Sequence, residues 1–186
     1  TAPPPVLPVQ EVRLAVVLYG GVSLAIYIHG VTLELHRLVR ATAPQQRPEP
    51  NRVPLAKLAG SALRGSELVY RRLGQFLGSQ ADWRTLDAEA PIRTRFVIDI
   101  LAGTSAGGIN AVYLAKALAC DQDLNELTRL WLAKGDLARL LNQAAAPASL
   151  LDGDLLYRDL LAAFDTMDHA QPAMPDESPY VDELDL

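Results

Sequence analysis

The chain has 186 residues, enough for one domain with a real core. Hydrophobic residues make up 49% and charged residues 21%, which excludes a disordered chain. A net charge of -5 argues against nucleic acid as a partner. In chain order, the Pro-rich start at 1–8 reads as extended. Residues 12–18 form an apolar run that suits a central strand in a covered parallel sheet. Tyr19-Gly20-Gly21-Val22-Ser23 is the turn after it. A helix follows from about Ser23 to about Val39, because Leu24, Ile28, Val31, Leu35 and Leu38 recur at spacings of three and four. No run spans a bilayer: the apolar stretch 14–31 is interrupted by Gly20, Gly21, Ser23, His29 and Gly30. It also lacks the positive start and cleavage site of a signal peptide.

Residues 41–54 hold prolines at 44, 48, 50 and 54 and read as a loop. Residues 62–77 read as an amphipathic helix, with Leu63, Leu68, Leu73 and Leu77 apolar and Arg64, Glu67, Arg71 and Arg72 polar. Its basic residues could meet anionic headgroups, a candidate peripheral membrane contact, although such a face is more often simply solvated. Residues 82–91 return the chain to a second strand, so about 41–91 is an insertion between the first two strands.

The second strand, with Val97, Ile98, Ile100 and Leu101, runs into Gly103-Thr104-Ser105-Ala106-Gly107. Helix formers continue over 109–118. A G-x-S-x-G pentapeptide between a buried strand and a helix is the context of a nucleophile elbow, a sharp turn that holds a serine up for attack. Gly103 and Gly107 satisfy its demand for minimal side chains where strand and helix crowd. Ser105 then stands at a helix N-terminus, which favours negative charge. The Gly20-Gly21 turn also sits between a strand and a helix. The N–H groups of Gly20, Gly21 and Val22 could supply an oxyanion hole, which needs only two or three aimed donors. It is neither a P-loop nor a dinucleotide fingerprint, because the spacings fail.

Beyond the elbow, Asp121 or Asp123 can cap a helix to about Lys134, with Leu124, Leu127, Leu130 and Trp131 on one face. Gly135 ends it, Asp136 begins a short helical piece, and 144–147 is a break. Asp152 or Asp154 caps a helix from Leu155 to about Phe164. Residues 166–179 read as an acidic loop and 180–186 as the start of a third strand. Cys120, the one cysteine, excludes an internal disulfide framework, suits a reducing, cytoplasmic setting, and reads as a packing residue. Asp99 reads as a polar residue facing away from Ile98 and Ile100, and Asn110 as packing or capping.

With both turns in hand, the chain resembles the patatin-like phospholipases, most of all the bacterial patatin-related subset. The resemblance rests on Gly20-Gly21-Val22-Ser23-Leu24-Ala25 followed by Gly103-Thr104-Ser105-Ala106-Gly107-Gly108. It implies a three-layer α/β/α fold with a mostly parallel sheet, of which residues 1–186 are the N-terminal portion. It implies hydrolysis of phospholipid or other acyl-ester lipids by a Ser–Asp dyad, with no metal or other cofactor. Ser105 is then the nucleophile, and Gly20, Gly21 and Val22 are the oxyanion donors. Many members carry a third glycine and a basic residue in the first turn, where Val22 and Ser23 stand here. The family's aspartate lies in an Asp-Gly turn after further strands. The Asp-Gly here, Asp152-Gly153, reads as a helix cap, so the partner is expected beyond residue 186. The start at Thr1 and an end in a new apolar segment likewise suggest a piece of a longer protein.

Two alternatives stand. One is an α/β-hydrolase triad of Ser105, Asp165 and His169. The other is a patatin-type fold used as a non-catalytic binding or scaffold module. His29 and His36, seven apart on the first helix, read as half-exposed helix residues without a metal-ligating pattern.

Overall fold

A computed structural model of the chain describes residues 10–43, 63–88, 90–134, 141–143, 147–170, 178 and 180–186. The expectations for 1–8, 44–54, Gly135, Asp136, 144–146 and 171–177 fall outside the described residues.

The fold is mixed α/β and is built on two parallel strands, β1 (Gln10–Leu18) and β2 (Thr94–Gly103). Parallel neighbours cannot be joined by a hairpin and need a crossover. The helices between them, α1 (Ala25–Thr42) and α2 (Ser66–Phe76), supply it. The register runs from Gln10 opposite Thr94 to Leu18 opposite Gly103, so both strands end at one level and deliver their turns side by side. Burial alternates along β1, with Val12, Leu14 and Val16 turned inward and Arg13, Ala15 and Val17 exposed. This differs from the expected doubly covered strand. Among the described residues helices lie over one face only, where α1 and α3 (Ala106–Cys120) pack together on Leu18, Ile98 and Leu101.

Leu14 pairs with Ile98 but Ala15 with Ile100, which leaves Asp99 as an extra residue in a β-bulge. The bulge resets the alternation expected from sequence. Ile100 becomes exposed beside Asp99, and Leu101 turns into the core. Asp99 accepts a 2.7 Å bond from Arg13 on the exposed face. Its carbonyl accepts the Asp185 N–H at 2.8 Å, and Leu101 donates to the Asp185 carbonyl at 2.8 Å. The expected third strand is therefore a single parallel bridge, Ile100 to Asp185.

Helix α3 is the centre of the core. Tyr113, Leu114, Ala117 and Leu118 are all buried. Tyr113 stacks on Phe164 with centroids 4.1 Å apart and donates to the Leu160 carbonyl at 2.7 Å. These partners lie on α5 (Gly153–Ala170), which runs past the expected end near Phe164. The extension follows from packing: Met167 is buried and Asp168 bonds Lys116 of α3 at 2.7 Å. Asp121 does not cap the next helix. It closes α3 in the left-handed conformation and bonds the Tyr180 hydroxyl. Asp123 accepts the Asn125 N–H at 2.9 Å at the start of α4 (Asn125–Lys134).

The buried face of α2 is rotated from the expected one, with Leu73 half-buried. Leu68 and Val69 are exposed, while Glu67, Gly74 and Gln75 are buried. Gly74 decides the orientation, because a Cβ there would lie 2.9 Å from both the Thr42 methyl and the Thr94 carbonyl. Glu67 accepts the Arg64 N–H at 3.0 Å and pairs with Arg40 of α1 at 3.6 Å. Of the basic residues expected to face outward, Arg72 donates to the Trp83 carbonyl at 2.8 Å and lies over its ring.

His29 and His36 are buried rather than half-exposed. His36 lies edge-on to Tyr180, and burial, with Arg40 and Arg37 nearby, pushes its pKa down to about 3. The unfolded chain therefore binds a proton at this site that the folded chain refuses, between pH ~3 and ~6.5. The contribution is constant above the unfolded pKa and turns destabilising as pH falls below it. Denaturant midpoints at pH 7 and pH 5 should show a smaller acid loss for His36→Phe than for wild type. The difference has a ceiling of about 1.4 kcal/mol per pH unit. Equal losses would place the His36 ring in contact with water.

Candidate active site

The two glycine turns meet. A Cβ on Gly20 would stand 1.9 Å from the Thr104 carbonyl oxygen and 2.8 Å from the Ser105 Cβ. A Cβ on Gly107 would stand 2.2 Å from the Leu18 carbonyl oxygen, and one on Gly103 would stand 2.6 Å from that of Gly107. Only hydrogen fits at these three positions, because the obstacle in each case is backbone that cannot rotate away. The Thr104 N–H donates to the Leu18 carbonyl at 3.1 Å, and the Gly107 N–H donates to the Thr104 carbonyl at 2.9 Å. Parallel register thus places the end of β1 against a turn 84 residues later in the chain.

Ser105 has φ 52° and ψ -128°, a conformation that side chains rarely adopt. It occupies the N-cap position of α3, yet its side chain makes no capping hydrogen bond. Among the described residues its hydroxyl has no protein partner. The residue is exposed. Backbone held off its preferred wells costs of order 1–3 kcal/mol and persists only where the surroundings fix it. Here the pinned Thr104 and Gly107 on either side fix it. The dipole of a 15-residue helix starts at its feet.

The Gly20 N–H donates to the Thr104 hydroxyl at 3.3 Å and so ties the two turns together. Among the described residues the Gly21 and Ala106 N–H groups have no protein acceptor. Val22 opens a 3-10 turn (Val22–Leu24), whose first N–H groups the turn itself does not use. The Gly21, Val22 and Ala106 N–H groups therefore belong to the two turns that meet at Ser105.

Thr104 carries no signal in the sequence, and Asn110 reads there as packing or capping. Asn110 is wholly buried one turn into α3 and donates to the Ala106 carbonyl at 2.9 Å and the Ala25 carbonyl at 3.4 Å. It joins the first turn of α1 to the first turn of α3, and so fixes one glycine turn relative to the other. It also lies beside His29, whose Nε2 is 2.6 Å from the Thr128 hydroxyl. Burial lowers the His29 pKa, and Asn110 offsets part of this. No sequence rule links an asparagine in one helix to a carbonyl 85 residues earlier.

The Ser105, Asp165 and His169 set is not assembled. Asp165 and His169 lie four apart on α5 and bond each other, His169 Nδ1 to the Asp165 carbonyl at 2.7 Å. That end of α5 is tied to Lys116, eleven positions and ~16 Å along α3 from Ser105. Asp152 caps α5 by accepting the Leu155 N–H at 2.9 Å. Asp99 is engaged by Arg13. Among the described residues no group of three or more His, Cys, Asp and Glu could hold a metal ion.

No family model matches the chain, and no solved structure matches it significantly. The chain is similar to the "Uncharacterized membrane protein Rv3479" of Mycobacterium tuberculosis (strain ATCC 25618 / H37Rv), with 35% identity over 150 residues. The match covers 81% of this chain and 12% of the relative, so the chain spans about an eighth of that protein's length. Among the described residues no helix is long and apolar enough to cross a membrane.

Proposed function

We propose that the chain is the N-terminal portion of a patatin-like phospholipase domain, three-layer α/β/α in its full form, that hydrolyses acyl esters of lipids through Ser105. The observation that carries this reading is the strained, uncapped Ser105 packed against the Gly20-Gly21 turn. A serine with no purpose other than to start a helix would adopt an extended N-cap conformation and bond its own helix.

In this mechanism the Ser105 Oγ attacks the ester carbonyl carbon, and its proton passes to an aspartate that the reading places beyond residue 186. The N–H groups of Gly21, Val22 and Ala106 receive the charge that develops on the carbonyl oxygen. The C–O ester bond breaks, and the alcohol leaves with the proton. Water then attacks the acyl-enzyme, releases the fatty acid and restores the hydroxyl. A lipid substrate goes with work at a membrane surface, and the single cysteine with a reducing, cytoplasmic setting; that the relative is named a membrane protein is compatible with the former.

The binding-module alternative has one observation in its favour: among the described residues no carboxylate or imidazole is hydrogen-bonded to Ser105. Phospholipid hydrolysis by the full-length protein separates the two. Turnover should fall at least about 10³-fold in Ser105→Ala, because the nucleophile is removed outright. Turnover undiminished in Ser105→Ala would reject the serine, and none in wild type would favour the module.

A further inference from the structure

His29 lies one turn into α1 and is buried beside α3 and α4, and the mechanism above gives it no task. Burial holds its pKa below the usual value, so the ring is neutral at pH 7. A neutral imidazole has one N–H and one bare nitrogen, and its partners decide which is which.

The orientation of the Asn110 amide supplies the answer. Its NH2 group faces the Ala106 carbonyl at 2.9 Å and the Ala25 carbonyl at 3.4 Å. A flipped amide would set oxygen against oxygen at both, so the Asn110 Oδ1 points away from them. That oxygen is buried and, as the side chains stand, has no donor; the His29 Nδ1 is likewise buried without a partner. The two groups are close enough for Asn110 to act on the ring as an acceptor. One proton on Nδ1 gives both atoms their partner, where leaving them unpaired is costly. Nε2 is then bare and accepts from the Thr128 hydroxyl 2.6 Å away. Thr128 has a second acceptor, the Leu124 carbonyl of its own helix at 3.3 Å, but the shorter contact has the stronger claim on its one proton.

We infer that His29 is a positioning residue, whose Nδ1–H holds the Asn110 amide against the Ala25 and Ala106 carbonyls and so keeps the two turns at Ser105 in place. Its effect on rate rests on the reading of Ser105 as a nucleophile. Ala25 directly follows the Val22–Leu24 turn, and Ala106 directly follows Ser105, so each carbonyl belongs to the first turn of a helix that begins at the site. Hydrogen bonds in such a chain polarise one another, which lets Thr128 act on both turns from a third helix, α4.

The test compares wild type, His29→Gln, His29→Asn and Thr128→Val in the full-length protein, with urea midpoints to establish that each is folded. Asparagine at 29 places an amide N–H where Nδ1 stands. Glutamine fills more of the ring's volume but carries its amide to the Nε2 end, toward Thr128. Ser105 is modified with an ethyl fluorophosphonate: the Oγ–P bond forms as the P–F bond breaks, fluoride leaves, and the proton passes to solvent. His29→Gln should slow the reaction at saturating probe at least about tenfold with half-saturation unchanged, because the donors shift while probe binding does not. His29→Asn should stay within about threefold of wild type. Thr128→Val, which keeps the shape and removes the hydroxyl, should slow it about fivefold, the factor one ordinary hydrogen bond supplies. Deuterium exchange, read by mass spectrometry in the first turns of α1 and α3, should quicken in the same order without reference to any reaction at Ser105.

A folded His29→Gln that matches or exceeds His29→Asn overturns the inference, because His29 then only fills space. So does a loss that appears as weaker probe binding at an unchanged saturated rate, or a Thr128→Val with wild-type rate and exchange. Normal labelling of wild type without the predicted order of exchange also overturns it and leaves the serine reading intact. If Ser105 resists the probe in wild type while the order of exchange holds, the strut through His29 stands and the nucleophile reading falls.

Discussion

Gly20→Ala should lower the stability of the fold by about 3 kcal/mol and slow modification of Ser105 about 100-fold. The added methyl would have to share space with the Thr104 carbonyl oxygen at 1.9 Å, the Ser105 Cβ at 2.8 Å and the Ala106 nitrogen at 2.9 Å. Two of these three atoms are backbone, so no rotamer change relieves the clash. Either the end of β1 lifts or the elbow shifts. A displacement of about 1 Å between donors and nucleophile is enough to cost two orders of magnitude. Gly21→Ala is the internal control, because its methyl would meet only the Leu24 Cδ1 at 3.9 Å. Urea midpoints and phosphonate labelling rates of the two variants provide the comparison. If both variants behave alike, the two turns are not in contact.

Ser105→Gly should be more stable than wild type by about 1 kcal/mol, while losing all reaction with phosphonate. The serine is held at φ 52°, where a Cβ is strained and glycine is not. Relief of about 1–3 kcal/mol outweighs the ~0.5–1 kcal/mol by which glycine favours the unfolded chain. Nothing is lost on the other side, since the hydroxyl makes no capping bond. Ser105→Ala keeps the strained Cβ, so it should show no such gain. Denaturant midpoints for the three proteins read the difference. A Ser105→Gly less stable than Ser105→Ala would show that the elbow stores no strain.

What could be read in the sequence was the part whose cause is local. Gly20, Gly103 and Gly107 are glycines because neighbouring backbone leaves no room, and a strand–glycine–helix pattern announces that crowding. The parallel pairing of the two strands then follows, because both turns belong to one end of a sheet. What stayed hidden depends on partners far along the chain. The Gly20 N–H is bonded to Thr104, which no spacing rule connects to it. The bulge at Asp99 shifts Ile100 outward, although the residue pattern there suggests plain alternation. Leucine spacing in α2 pointed to one face, but Gly74 against Thr42 and Thr94 chose another. The last helix outran its expected end because Lys116 and Gln122 bind Asp168, and those residues belong to other segments.

The most direct measurement is mass-spectrometric mapping of the folded full-length protein after treatment with an alkyl fluorophosphonate. One adduct per chain, located on Ser105 and missing in Ser105→Ala, is the predicted result. No adduct on folded protein, or an adduct elsewhere that persists in Ser105→Ala, would contradict the account.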